Sequence, residues 1–160
     1  MNTKKLAFGG ILAALYAVVT VLTSSFAYGP IQFRVAEALC VLCFFTPSAV
    51  WALTLGCLLS NLFSPMPIDL VVGTLATLIG CFAASRIRSP WLLPLPIILS
   101  NALLVGLELA WFYSREAFWA GVLLNGLQVA AGETAVLYVL GLPLCLFLRR
   151  SRYGALLQQL

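Results

Sequence analysis

The sequence has 160 residues, of which 62% are hydrophobic and 9% charged, with a mean hydropathy of +1.06. A soluble domain carries roughly a quarter charged residues, so this composition excludes one and points to an integral membrane protein. The net charge of +4 does not indicate nucleic-acid binding, because the basic residues sit in short clusters at hydrophobic boundaries, where topology signals lie.

At roughly 20 to 25 residues per helical crossing and its turn, the length accommodates about six crossings and no separate soluble domain. The predicted fold is all-α, a polytopic six-transmembrane-helix bundle forming a single domain, with helices near residues 6–27, 34–45, 48–63, 69–85, 91–112 and 118–148. The N-terminus runs from Lys4 and Lys5 into the first apolar segment without a small-residue cleavage motif, so that segment reads as a retained helix rather than a signal peptide. It presents Gly9, Ala13 and Ala17 at i, i+4, i+8, with Gly10 and Ala14 one position round. Small residues at this spacing let a second helix approach, either inside the bundle or from a partner subunit.

Next comes YGPIQFRVAEAL, residues 28–39, a polar interruption carrying Gln32, Arg34 and Glu37. A charge near the hydrocarbon costs about 2.5 to 3.5 kcal/mol on insertion scales, so these residues are expected to face a bundle interior or a cavity. Arg34 and Glu37 are three apart and could pair with each other or serve a ligand. Thr46 and Pro47 separate the second apolar run from the third. NLFSPMP ends the third, and Asp69 opens the fourth, where an acidic residue suits the positive end of the helix dipole. Glycine, alanine and threonine at close-packing spacing (Gly73, Thr77; Ala76, Gly80, Ala84) predict a central place for that fourth helix. Pro94 and Pro96 fall in the first turns of the fifth helix, where they are tolerated. YSREA forms a short polar hairpin, and the sixth helix is longer than a crossing requires, so it is expected to tilt or project.

Basic residues at both ends favour an even number of crossings, with both termini cytoplasmic. Lys4, Lys5, Arg86, Arg88, Arg149, Arg150 and Arg152 then lie inside, and only Arg34 and Arg115 outside. Every carboxylate falls at the outer face or no deeper than mid-membrane, which predicts an outward-opening polar pocket. Its candidate substrate-binding residues are Gln32, Arg34, Glu37, Asn61, Asp69, Asn101, Glu108, Trp111 and Glu133. Asn101 and Glu108 are seven apart and share a helix face. Glu108 and Glu133 have no basic residue on their own apolar segments, which points to a donor-rich or cationic ligand. Tyr28, Phe33, Trp111, Phe112, Tyr113 and Trp119 are available near that face, to stack on a planar base or to form an interfacial belt.

No G-x-x-x-x-G-K-[ST] motif is present, so any ATP-driven step needs a partner. Histidine is absent, which removes Ser-His hydrolysis and most metal chemistry, and no metal or cofactor is expected. The five cysteines, including the C-x-x-C pair Cys40 and Cys43, lie within apolar runs and read as packing residues.

YGPIQFRVAEAL, LTLGCLLSNLFSP, DLVVGTLAT, NALLVGLEL and AGETAVLYVLGLP, in that order, resemble the QueT family of substrate-binding S components of energy-coupling factor transporters. The resemblance covers nearly the whole chain. It implies a plasma-membrane six-helix bundle, not an enzyme, that captures a queuosine precursor such as queuine or an aminomethyl deazaguanine base. It also implies docking on a transmembrane T component driven by two cytosolic ATPase subunits, with Gly9, Ala13 and Ala17 as the docking face. A stand-alone proton-coupled carrier, a membrane thiol oxidoreductase using Cys40 and Cys43, and a purely structural membrane subunit are the alternatives.

Overall fold

Proline and threonine punctuate the apolar runs, and the elements follow that punctuation. The computed structural model describes residues 3–28 and 31–159, so Gly29 and Pro30 of the YGPIQFR turn lie outside the described residues. The chain there is all-helical: α1 (Thr3–Leu22), α2 (Ser24–Ala27), a 3-10 helix (Val35–Phe44), α3 (Ser48–Asn61), α4 (Asp69–Ala84), α5 (Pro94–Tyr113), α6 (Phe118–Val136), a π-helical turn (Leu137–Gly141), α7 (Leu142–Arg150) and α8 (Arg152–Gln158).

Three helical stretches are long and apolar enough to cross a membrane: Thr3–Leu22, Pro94–Tyr113 and the continuous Arg115–Arg150. The 3-10 helix, α3 and α4 are apolar but shorter. Polarity runs inside out. Large apolar side chains such as Leu22, Trp51, Phe63 and Val139 face outward, whereas Arg34, Glu37, Asp69, Glu108 and Glu133 are all buried. That arrangement suits a hydrocarbon surround and is the reverse of a soluble domain.

The first apolar segment is not one helix through residue 27. Thr20 and Thr23 return their hydroxyls to the carbonyls of Tyr16 and Val19, at 2.9 and 2.7 Å, and the helix stops at Leu22 before the short α2. Threonine competes with the backbone in this way and loosens a helix. The second apolar run departs further from expectation, because residues 35–44 wind as a 3-10 helix. At about 2.0 Å rise per residue it covers about 20 Å, where an α-helix of the same length covers about 15 Å. This stretched segment, rather than α4, is the most enclosed element, with seven of its ten residues buried. It packs against α1, α3, α4, α6, the π turn and α7. Glu37, Cys40 and Cys43, three apart, eclipse on one face of it.

Glycines make the seams. A Cβ on Gly56 of α3 would lie 2.7 Å from the Ala13 carbonyl oxygen and 2.8 Å from Tyr16 Cβ, so α1 and α3 touch backbone to backbone. On Gly106 it would lie 2.8 Å from Gly126 Cα, closing α5 on α6. Pro143 lacks the N–H that the carbonyl four residues earlier would accept, and the sixth apolar stretch absorbs this as the π turn at Leu137–Gly141.

The Gly56 seam has no flexible side chain that can yield. Gly56→Val should lower the stability of the purified protein by about 1 to 3 kcal/mol, read as a fall in melting temperature in detergent. An unchanged melting temperature would show that α1 and α3 can separate without cost.

Candidate functional site

The buried charged and amide residues come from the 31–34 segment, the 3-10 helix, the end of α3, the start of α4, and the lengths of α5 and α6. The segment 31–34 returns from α2 across α6: a Cβ on Gly132 would lie 2.5 Å from the Gln32 carbonyl oxygen. Gly132 thereby admits the loop, and Glu133 beside it is fully buried.

Arg34 precedes the 3-10 helix with ψ of 86°, outside the helical range, so its side chain is not carried onto the face of Glu37. It pairs instead with Asp69, the first residue of α4, one terminal nitrogen donating to both carboxylate oxygens at 3.1 and 2.9 Å. Asn61 at the end of α3 donates to the Asp69 backbone carbonyl at 2.9 Å. Gly73 leaves the room for this, since a Cβ there would collide with Asp69 Oδ1 and approach Asn61 Nδ2.

Glu37 is held separately. It accepts from Tyr16 of α1 at 2.5 Å and Thr77 of α4 at 3.1 Å on one oxygen, and from the Cys40 thiol at 3.0 Å on the other. Arg34 and Glu37 therefore do not pair with each other: Arg34 forms its ion pair with Asp69, and Glu37 is held by neutral donors. On the far wall, Asn101 of α5 donates to Glu133 of α6 at 3.3 Å.

Several buried polar atoms have no partner among the described residues. Acceptors lead: Gln32 Oε1, Asn61 Oδ1, Asn101 Oδ1, Glu133 Oε2 and both oxygens of Glu108, against the donors Arg34 Nε and Asn125 Nδ2. Unsatisfied buried groups are rare because each costs about 1 to 3 kcal/mol, so eight such atoms on the 31–34 segment, α3, α5 and α6 call for a physical reason.

Residues 6–150 match the family described as the QueT transporter. The chain belongs to the QueT transporter family. It is also similar to the queuosine precursor transporter QueT of Lactococcus lactis subsp. cremoris, at 45% identity over 71 residues, covering 43% of this chain and 42% of that protein. No solved structure matches the chain.

In this QueT-family chain the remaining sequence candidates lie apart from the buried cluster. Trp111 is 53% exposed, edge-on to Phe118 at 6.4 Å and under the Arg115 guanidinium at 4.5 Å, a rim position. Phe112, Tyr113 and Trp119 are exposed as well, in the manner of an interfacial belt. Along α1, Ala13 is buried against α3, Gly9 is half-buried with Ala52 Cβ at 3.8 Å, and Ala17 is half-buried. Gly10, with nothing within 4 Å of its Cβ position, and Ala14 are the exposed small residues.

Four contributors escaped the sequence reading: Tyr16, Cys40 and Thr77, which donate to Glu37, and Asn125, buried on α6. Asn125 could have been found, since it lies eight residues before Glu133 on the stripe continued by Val129. Tyr16 could not, because its partner is 21 residues away and no local spacing links them. All five cysteines are free and buried, and Cys40 acts as a donor to Glu37.

Tyr16→Phe deletes one donor from a buried carboxylate while preserving the ring. It should destabilise the protein by about 1 to 3 kcal/mol, seen as an earlier thermal transition. A wild-type transition would mean that Thr77 and Cys40 suffice.

Proposed function

We propose that this chain is the substrate-capture component of an energy-coupling factor uptake transporter, and that it binds a queuosine precursor base from the outer face. The observation that carries the reading is the set of buried, unpartnered polar atoms on the 31–34 segment, α3, α5 and α6, acceptors outnumbering donors. A deazaguanine base presents a ring N–H and an amino group side by side, which a carboxylate accepts together, and an amine-bearing precursor adds positive charge. The Lactococcus relative carries the name of a queuosine precursor transporter, which supports this substrate class.

In this reading the chain crosses the plasma membrane six times: α1, the 3-10 helix, α3, α4, α5, and α6 through α7. Both termini are cytoplasmic, in keeping with the seven basic residues assigned inside and two outside. The sequence has no phosphate-binding loop, so ATP hydrolysis is supplied by a T component and two ATPase subunits. Docking uses the exposed side of α1. Gly10 lines a cleft of about 490 Å³ between α1 and α3, together with Lys5, Leu6, Gly9, Ser48, Trp51, Ala52 and Leu55, and Ala14 continues its α1 edge. The unpaired Glu108 also suits a proton-coupled carrier acting alone, and uptake into vesicles containing this chain only would favour that second reading.

Two experiments test the assignment. Glu108→Gln and Glu133→Gln each keep volume but turn an acceptor oxygen into a donor. With an amine-bearing deazaguanine, each should weaken binding about 10- to 100-fold by titration, since charge-assisted hydrogen bonds contribute about 1.5 to 3 kcal/mol. Affinity equal to the parent in both variants places the pocket elsewhere. For docking, Gly10→Leu and Ala14→Leu should leave ligand titrations as they are and reduce cellular uptake by about tenfold or more, as bulk on a small-residue face holds a partner helix away. Normal uptake in both would remove α1 from the docking surface.

A further inference from the structure

The wall formed by α5 and α6 has two levels with different chemistry. Three contacts set the register of this antiparallel pair: the Gly106 Cβ position 2.8 Å from Gly126 Cα, that of Gly121 3.4 Å from Ala110 Cβ, and Asn101 Nδ2 3.3 Å from Glu133 Oε1. In that register Glu108 lies opposite residue 123, within one turn of Asn125, whereas the Asn101–Glu133 pair lies about 10 Å deeper, at 1.5 Å per residue. Asn125 and Glu133 both belong to the buried stripe of α6, and Asn101 and Glu108 share one face of α5.

The deep level is already tethered. Asn101 holds one oxygen of Glu133, which leaves Glu133 Oε2 and Asn101 Oδ1 as two fixed acceptors, suited to the planar donor edge of a base. The outer level is different: neither oxygen of Glu108 has a hydrogen-bond partner, and no described cation forms an ion pair with it. A desolvated carboxylate left in this way is costly, and a ligand ammonium, with three donors and a charge, meets that need better than any neutral group. Resting on the deazaguanine reading above, we infer that Glu108 is the specificity-determining residue that selects precursors bearing a cationic amine, while the Asn101–Glu133 pair receives the ring edge. With a hydrogen bond of about 2.9 Å at each end, a bicyclic base with a one-carbon amine arm is of the right order to bridge the two levels.

The test uses the purified full chain in detergent and two ligands of similar size, the aminomethyl deazaguanine base and its neutral nitrile counterpart. The wild type should bind the amine about tenfold or more tightly than the nitrile. Glu108→Gln should bring that ratio close to one, whereas Glu133→Gln should weaken both ligands and keep the ratio. Equal binding of the two bases by the wild type overturns the inference without any variant having to fold, as does a ratio that survives in Glu108→Gln. Binding of neither base by the wild type removes the deazaguanine reading itself, and the inference with it.

Discussion

A single buried carboxylate, Glu37, ties the architecture together. Its donors come from α1, α4 and its own 3-10 helix, so three elements with little shared sequence are fixed at one point. An anion in this position is tolerable only when fully hydrogen-bonded. That requirement constrains its neighbours: Gly56 must bring α3 against Tyr16, and the 3-10 winding must set Cys40 directly above Glu37. Because Glu37 is satisfied internally, Arg34 is free to join Asp69, and atoms of Gln32, Asn61, Asn101, Glu108, Asn125 and Glu133 stay open.

The same separation divides the polar residues into a largely satisfied group and an open one. The Glu37 cluster and the Arg34–Asp69 pair complete most of their bonding within the protein. Glu108, Asn101, Asn125 and Glu133, all on α5 and α6, retain atoms without partners. Among the described residues these two helices form the most extensive helix–helix contact, so the open groups stand on a closely packed pair. The loop 31–34, which Gly132 allows to rest on α6, covers that wall from the other side.

Much of this is legible in the sequence where chemistry is local. Thr46 and Pro47 do separate two helices, Pro94 does begin one, and all-helical structure follows from composition. The polar residues are also identifiable singly, since a charge in an apolar run needs an explanation wherever it occurs. Their pairings are not legible. Arg34 meets Asp69, 35 residues away, rather than Glu37, and no local spacing signals that; the 3-10 winding of residues 35–44 likewise has no signal in the apolar pattern, which fits either helix. On α1 the small residues at Ala13 and Ala14 are equivalent in sequence, and only the position of Gly56 on another helix decides which of them faces inward.

The π turn at Leu137–Gly141 acts as a phase shifter in the last long helix. Upstream of it the buried stripe carries Asn125 and Glu133; downstream it carries Leu142 and Cys145, with Phe147 outward. Gly141 holds the turn against the 3-10 helix, where a Cβ would lie 2.9 Å from Val41 Cγ1. Removing one residue from the turn would restore an ordinary α-helix and rotate everything beyond it by about 100°. The helical phase that buries Asn125 and Glu133 and the phase that buries Leu142 and Cys145 are therefore set separately, like two cams on one shaft.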